Sequence, residues 1–147
     1  MSMLERDIHI DAPPERVYDV VSDPSCLHRW VTIQDALEEA PDGELEQGAR
    51  LVQRLRVAGQ CFTVTWTVMA ADRPSKLVWE GKGPLGTSAK AVYELHPNTG
   101  GTDFHYLNDF HLPGGALGAA VGRALQRAGR READRTLERL KALLESG

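Results

Sequence analysis

The region from Thr32 to Leu112 alternates between apolar and polar residues, and this two-residue period constrains the fold more than any other feature of the chain. In residues 61–68, one phenylalanine, two valines and one tryptophan alternate with a cysteine and three threonines. Such alternation is typical of a strand with one buried face. Turn signals separate the runs at 41–43, 58–59, 72–74, 81–86 and 97–101. The pattern predicts about six strands in a meander.

Two shorter patterns precede the meander. Residues 4–10 alternate in the same way and predict a first strand. The sequence Ala-Pro-Pro-Glu-Arg-Val at 12–17 places prolines where the first turn of a helix tolerates a missing N–H. Asp23 and Pro24 are suited to begin a second short helix that runs toward Trp30.

After Pro113 the apolar residues recur every three or four positions, which predicts a long C-terminal helix. These residues are Leu117, Val121, Leu125, Ala128, Leu137, Leu140 and Leu144. The predicted fold class is therefore α+β, with a curved antiparallel sheet of about seven strands, two short helices after strand 1 and one long helix. No linker or repeat divides the 147 residues, so residues 1–147 are expected to form a single domain.

Composition and charge exclude several classes of protein. The net charge of −4 argues against a nucleic-acid partner, because phosphate contacts require an excess of Lys and Arg. No apolar run approaches the length of about 18 residues that a membrane-spanning helix needs, and the N-terminal segment lacks a signal-peptide pattern. We therefore expect a cytoplasmic protein without stable membrane insertion. Cys26 and Cys61 have no disulfide or metal-ligand spacing and are expected to be buried.

The two surfaces that should pack together differ in side-chain size. Seven of the nine aromatic residues fall on the predicted inner face of the sheet, namely Phe62, Trp66, Trp79, Tyr93, Phe104, Tyr106 and Phe110. The first half of the long helix instead contains mostly Gly and Ala, including Gly118 and Gly122. Because a helical glycine costs up to about 1 kcal/mol relative to alanine, these glycines need an explanation. The helix either packs closely on the sheet or covers an apolar pocket.

A few polar groups fall on the same inner face: Gln53, the hydroxyls of Tyr93 and Tyr106, and Asn108. An unpaired buried polar group costs about 1 to 3 kcal/mol, so each should have a protein partner or a ligand. The predicted ligand-binding residues are Gln53, Phe62, Trp66, Trp79, Tyr93, Tyr106, Asn108, Phe110, Leu117 and Val121. The predicted pocket entrance comprises Val31–Thr32, Ala58–Gly59, Gly81 to Gly86 and Leu112 to Gly115.

Other motifs do not indicate chemistry. The string at 81–86 matches G-x-G-x-x-G, but a strand follows it and Pro84 removes an amide, so we interpret it as a hairpin loop. The five histidines, His9, His28, His96, His105 and His111, are expected to be exposed. We predict no metal site and no cofactor, and no catalytic residue can be assigned.

Several motifs resemble the START-like (SRPBCC) superfamily, in its polyketide cyclase/dehydrase branch. They are residues 10–24 leading to Trp30, Asp-Arg-Pro-Ser-Lys-Leu at 72–77, Tyr-Glu-Leu-His-Pro and Gly-Gly-Thr within 93–102, and Leu-Glu-Arg-Leu-Lys at 137–141. The resemblance implies a helix-grip fold around an apolar cavity. Members include aromatic polyketide cyclases, lipid and sterol carriers, coenzyme-Q-binding proteins and activators of a chaperone ATPase, so the resemblance implies an apolar ligand without naming it.

Three functions remain open at this point. The first is binding or carriage of a small hydrophobic molecule that is aromatic, polyketide-like or lipid-like. The alternative is a cyclase or dehydratase in which Tyr106 or Asn108 assists enolate chemistry, although no inward acid or histidine can be placed. The third is a regulator that binds a protein partner through the acidic segment 35–46 or the arginines of 123–131. A monomer or a homodimer is compatible with all three.

Overall fold

A computed structural model describes the backbone of residues 2–57, 59–111 and 116–146, with side chains throughout these ranges except at 2, 85, 116–122, 124 and 125. The strands are β1 (Ser2–Ile10), β2 (Gln34–Glu39), β3 (Arg50–Val57), β4 (Gln60–Asp72), β5 (Lys76–Lys82), β6 (Ser88–Asn98) and β7 (Gly101–His111). The helices are α1 (Pro14–Val21), α2 (Leu27–Trp30) and α3 (Ala116–Glu145). The predicted order of elements is confirmed.

All strand pairs are antiparallel, and the order across the sheet is β1-β7-β6-β5-β4-β3-β2. The six strands after the short helices thus form the predicted meander, and β1 pairs with its last strand. Register shifts in β2 and between Val68 and Ala70 of β4 mark bulges. Bulges bend strands and increase their twist, which helps the sheet to curve around α3.

Most predicted turns coincide with strand ends. Thr99 and Gly100 have positive φ values of 52° and 80°, and they join β6 to β7. Gly81 is an exception, because it lies within β5 opposite Trp66 rather than in the following loop. A Cβ atom at Gly81 would lie 2.7 Å from Trp66 Cε3 and 2.7 Å from Val64 Cγ1. Glycine is needed here because the indole ring occupies the space above the strand.

The short helices cover one end of the sheet. Pro14 begins α1 with Glu15 in its first turn, and the helix buries Val17, Tyr18 and Val21. The predicted cap at Asp23 is present, since its carboxylate accepts a hydrogen bond from Ser25 N at 2.9 Å. It begins a single 3-10 turn that leads into α2.

The long helix α3 follows β1 in the same direction, and its 30 residues span about 45 Å. Three polar contacts along its length show this alignment. They are Arg6 Nε–Asp134 Oδ1 (2.8 Å), Lys141 Nζ–His9 O (2.6 Å) and Asp11 N–Glu145 Oε2 (2.8 Å). The antiparallel sheet, the short helices after β1 and the enclosed C-terminal helix together form the predicted helix-grip fold.

The exposure of individual side chains confirms the predicted burial of the three tryptophans and corrects the predictions for the cysteines and for two histidines. Trp30, Trp66 and Trp79 are 0%, 6% and 3% exposed, as expected. Cys61 is exposed and Cys26 half-buried, so the prediction that both are buried was wrong. Cys61 alternates with Phe62 and therefore lies on the solvated outer face of β4.

The prediction of five exposed histidines was also wrong for His9 and His105, which are half-buried on the outer face of the β1–β7 pair. Each ring forms a hydrogen bond with a carboxylate on the neighbouring strand. His9 Nδ1 lies 2.8 Å from Asp103 Oδ1, and His105 Nδ1 lies 2.6 Å from Asp7 Oδ1. The other three histidines are exposed.

Candidate ligand-binding site

A cavity lies between the concave face of the sheet and the middle of α3. Its volume, counted as the space open to the centre of a water molecule, is about 130 Å³. This is several times the space of about 10 to 15 Å³ that a cavity needs in order to hold one water. Six of the seven strands, all except β2, contribute side chains to its wall. The cavity is therefore the central space of the fold rather than a surface groove.

The structure brings eight of the ten predicted site residues together around this cavity. They are Gln53, Phe62, Trp66, Trp79, Tyr93, Tyr106, Asn108 and Phe110. The other two, Leu117 and Val121, lie outside the described side chains, as do Gly118 and Gly122. Of the α3 side chains that the structure describes, six between Gln126 and Thr136 line the cavity.

Aromatic rings form a continuous group on the inner face of the sheet. Trp79 packs edge-on against Trp66 on one side and Tyr93 on the other, with ring centroids 5.9 and 5.6 Å apart. Tyr93 also stacks on Tyr106 at 5.7 Å, and Trp30 of α2 contacts Tyr93 at 5.9 Å. Because each ring is held by its neighbours, this wall is preorganised and apolar.

Ala91 contributes the smallest side chain to its part of the sheet wall. Cross-strand pairing aligns Trp79, Ala91, Asn108 and Leu4 on β5, β6, β7 and β1, so these four residues share the inner face. All four line the cavity. We call the first three the floor. A small side chain between two larger ones leaves room for a ligand directly above β6.

The opposite wall is formed by α3, and we call its described lining residues the roof: Gln126, Gly129, Arg130, Glu132, Ala133 and Thr136. Apart from its chain neighbours and the backbone of its own helix, a Cβ atom built on Gly129 would find no described heavy atom within 4 Å. The Thr136 hydroxyl lies 2.9 Å from that of Thr32 and accepts a hydrogen bond from Thr32 N at 3.1 Å, so it joins the segment after α2 to the roof. The absence of a side chain at Gly129 therefore contributes directly to the open space.

No roof residue was among the predicted site residues, although the sequence carries a signal for them. The apolar positions 117, 121 and 125 continue every three or four residues to 129, 133 and 136. The residues at these later positions are Gly, Ala and Thr, which do not stand out as a hydrophobic stripe. The described part of the roof therefore includes helix positions with small side chains or none.

Gln53 is a structural member of the wall. It is 4% exposed, its Oε1 accepts a hydrogen bond from Trp66 Nε1 at 3.0 Å, and its Nε2 donates to Gln34 Oε1 at 2.7 Å. Both ends of the amide are therefore occupied by protein groups. This chain of contacts fixes the Trp66 ring, and it leaves the other polar wall residues as the candidates for ligand contact.

Tyr106 and Asn108 form a second polar pair, in which Asn108 Nδ2 donates to the Tyr106 hydroxyl at 3.0 Å. Burial raises the pKa of Tyr106 above its ordinary value and raises the pKa of Tyr93 well above it. Both hydroxyls are therefore neutral near pH 7 and cannot act there as anionic bases. Among the described residues, no group of three His, Cys, Asp or Glu side chains is arranged to hold a metal ion.

Two exposed residues line the cavity where it meets solvent. Met3 at the start of β1 is 55% exposed, and Arg130 on α3 is exposed as well. Of the predicted entrance, Val31 lines this cavity, while Gly83 and Pro84 line a separate space of about 20 Å³ beside Phe62 and Phe110. Residues 58 and 112–115 lie outside the described residues. Entry through the glycine-rich loops stays a prediction.

None of the helices in the described ranges combines the length and apolar character needed to cross a membrane. The arginines at 123, 127, 130 and 131 are exposed, as a solvated helix face would be.

Comparison with solved structures identifies the same architecture in other proteins. TTHA0849 from Thermus thermophilus superposes with a TM-score of 0.81, 18% identity and coverage of 99% of this chain and 98% of that one. The Zhui aromatase/cyclase of Streptomyces sp. R1128 superposes with a TM-score of 0.80 and 17% identity, and the match covers 98% of this chain and 93% of that one. For Ara h 8.0201 the TM-score is 0.70 and the identity 14%, with coverage of 99% of both chains. At these identities the likeness concerns the fold.

Sequence comparison identifies the family. Rv1546 of Mycobacterium tuberculosis is 28% identical over 102 residues, which cover 69% of this chain and 71% of that protein. The model of the family described as polyketide cyclase/dehydrase and lipid transport matches residues 1–145. That match spans nearly the whole chain and agrees with the resemblance carried by the sequence motifs. The chain therefore belongs to the polyketide cyclase/dehydrase and lipid transport family.

Proposed function

We propose that this protein binds a small hydrophobic molecule in the cavity between the sheet and α3. The observation that carries the proposal is the unequal packing of the two walls, with a group of large aromatic rings on one side and Gly129 and Ala133 on the other. Burial of apolar surface yields about 25 cal/mol per Å². Contact with the aromatic wall would therefore contribute to the affinity for a ligand with an aromatic ring or a short hydrocarbon chain.

The polar groups of the cavity favour binding over catalysis. Gln53 is engaged with Trp66 and Gln34, and the pKa values of Tyr93 and Tyr106 are raised by burial. Glu132 of the roof accepts a hydrogen bond from Arg135 at 3.0 Å. Glu132 is the one carboxylate among the described lining residues and is engaged in this contact at the roof, so the described lining supports binding better than a cyclase or dehydratase mechanism.

Binding of a neutral apolar dye tests the proposal. N-phenyl-1-naphthylamine should fluoresce more strongly with the wild-type protein and should quench its tryptophans, because Trp30, Trp66 and Trp79 all line the cavity. Mass spectrometry of small molecules that co-purify with the protein would then identify natural ligands.

A pair of roof variants provides the matched control. Gly129→Phe places a ring in the open space and should reduce dye affinity at least tenfold, whereas Gly129→Ala adds one methyl group and should change it less than about twofold. Both variants must give a wild-type circular dichroism spectrum. Absence of dye binding to the wild type, or equal binding by a folded phenylalanine variant, would contradict the proposal.

A further inference from the structure

Four exposed arginines share one face of α3. They are Arg123, Arg127, Arg130 and Arg131. With 3.6 residues per turn, these positions fall within an arc of about 100° around the helix axis. Among the described side chains, none of the four forms an ion pair. Several charged residues farther along the helix are engaged, in the pairs Asp134–Arg6, Arg135–Glu132 and Lys141–Glu145.

The spacing of these arginines works against the helix. Arg127 has Arg123 and Arg131 four positions away and Arg130 three positions away. Like charges at these separations repel each other on a helix surface. A generally basic composition does not explain the cluster, because the net charge of the chain is −4. An anionic surface from outside the protein would relieve the repulsion. We call the four arginines the basic rim.

The basic rim lies beside the opening of the cavity. Arg130 and the exposed Met3 both line the cavity. The ion pair between Arg6 and Asp134 sets the level of α3 along β1, and both elements run in the same direction. Three strand residues before Arg6 span about 10 Å, and about seven helical residues span the same distance, so Met3 lies about level with Arg127.

The acidic side chains of β1 next to Met3 do not neutralise the rim. Glu5 and Asp7 lie on the outer face of the sheet, where Glu5 Oε2 is 3.4 Å from His105 Nε2 and Asp7 Oδ1 is 2.6 Å from His105 Nδ1. Met3 itself is apolar and 55% exposed. The opening is therefore bordered by an exposed apolar side chain and by cations that have no ion-pair partner among the described residues.

From this arrangement we propose that the basic rim docks the protein on an anionic lipid bilayer, with the opening of the cavity against the membrane surface. The guanidinium groups bind lipid phosphates, and Met3 contacts the apolar region beneath the headgroups. A bilayer fits this surface better than an acidic protein does, because it presents an extended anionic plane with an apolar phase directly behind it. The contact is peripheral and uses no membrane-spanning segment.

This inference rests on the proposed function and adds the place where the hydrophobic ligand is exchanged. A ligand that leaves the cavity at the docked opening enters the apolar phase of the bilayer without crossing bulk water. Exposure of apolar surface to water is thereby avoided during the exchange.

Sedimentation with large vesicles tests the docking. Vesicles of phosphatidylcholine alone are compared with vesicles that also contain about 30 mol % phosphatidylglycerol, in about 50 mM salt. Each arginine near an anionic surface strengthens binding about fivefold, so the wild-type protein should bind the anionic vesicles at least tenfold more tightly than the neutral ones. Salt at about 500 mM should remove most of this difference through screening.

A matched pair of double variants assigns the binding to the basic rim. Arg123→Glu with Arg127→Glu reverses two rim charges and should weaken binding to the anionic vesicles at least tenfold. Arg50→Glu with Arg139→Glu makes the same change in net charge at exposed arginines outside the rim, and it should weaken binding less than about threefold. None of these four residues is among the described cavity-lining residues, so unchanged affinity for the apolar dye verifies the fold of both variants.

A fluorescent label reports which part of the protein meets the membrane. Met3→Cys in a Cys61→Ser background carries an environment-sensitive fluorophore at the opening, and the wild-type protein carries it at the exposed Cys61 on the outer face of β4. Burial raises the pKa of the half-buried Cys26 thiol, which disfavours labelling there. With anionic vesicles, the emission of the label at position 3 should shift to shorter wavelength, and that of the label at Cys61 should not.

The outcomes separate this inference from the proposed function. If the wild type binds the apolar dye but binds neutral and anionic vesicles equally, the proposed function stands and this inference is wrong. If the wild type binds no dye, the proposed function fails and the exchange of ligand at the membrane fails with it. An equal loss of vesicle binding in the two double variants would overturn the inference in favour of a non-specific effect of net charge. An unchanged emission of the label at position 3 would overturn it as well.

Discussion

The two ends of the interior between the sheet and α3 are packed differently. At one end the helix presents Leu137, Leu140 and Leu144, which are 3%, 0% and 1% exposed and belong to the same core cluster as Phe104 and Leu95. At the other end, nearer the start of α3, the corresponding helix positions are Gly129, Ala133 and Thr136, and aromatic rings of the sheet lie opposite them. We call these regions the packed end and the hollow end.

The comparison shows how one continuous helix can serve two purposes. Large side chains on α3 fill the space at the packed end, where Lys141 and Glu145 also bind the backbone of β1 and the residue after it. At the hollow end the same helix presents small residues, which leave the space next to the aromatic wall open. The helix therefore fills the interior at one end and leaves space for a ligand at the other.

Truncation at the packed end should give the largest effect on stability. Leu140→Ala removes a fully buried side chain and should lower the free energy of unfolding by about 2 to 5 kcal/mol, because the surrounding core cannot collapse completely. Urea unfolding followed by tryptophan fluorescence measures the change. A loss below about 1 kcal/mol would show that this end is not tightly packed and would remove the basis of the comparison.

A glycine-to-alanine change at a filled position should have the next largest effect. The Cβ atom of Gly81→Ala would overlap Trp66 and Val64, so the variant should be destabilised by about 1 to 3 kcal/mol, and dye affinity should fall as Trp66 shifts. Thermal and urea unfolding provide the measurement. Unchanged stability would indicate that the wall of the hollow end can yield.

The same chemical change at the open position should have the opposite sign. Gly129→Ala adds a methyl group at a helical position where no described atom outside the backbone of the helix and the two chain neighbours lies within 4 Å. The variant should stabilise the protein by up to about 1 kcal/mol through helix propensity. Together with Gly81→Ala it forms a matched pair that compares a filled site with an open site. Destabilisation by Gly129→Ala would mean that the roof lies closer to the sheet than the structure shows.

The smallest effect is expected on the outer face, away from both ends. The hydrogen bond to Asp7 raises the pKa of His105, and the charges of Glu5 and Glu94 add to this. Since the folded pKa is above the unfolded value of about 6.5, the contribution is fully present below that pH and is lost as the pH rises through the folded pKa. His105→Gln should therefore cost about 0.5 kcal/mol at pH 5.5, the scale of an exposed ion pair, and less at pH 8.5.

Urea unfolding at the two pH values measures this dependence. Dye affinity provides the control, because the His105 ring lies on the outer face and the variant should bind as the wild type does. A larger loss at pH 8.5 than at pH 5.5 would contradict the assignment of the pKa shift to Asp7.

Some elements of the fold did not follow from local pattern. Leu45 lies in the connection between β2 and β3, where six acidic residues in 35–46 indicate a solvated segment, yet it is fully buried and its N–H donates to Ser22 O at 2.8 Å. The placement of such a residue depends on α1 being near in space. Periodicity does not carry that information.

The period of two along β3 to β7 was sufficient to predict which side chains share the inner face, because alternation in a strand is a property of the backbone and needs no partner to be known. Eight wall residues were predicted on this basis. The roof could not be predicted in the same way, since every face of a helix follows the same 3.6-residue period. Which residues of α3 lie over the cavity depends on the position of the helix along the direction of β1. The contacts of Asp134 with Arg6 and of Lys141 with His9 fix that position, and they bring Gly129 over the aromatic wall.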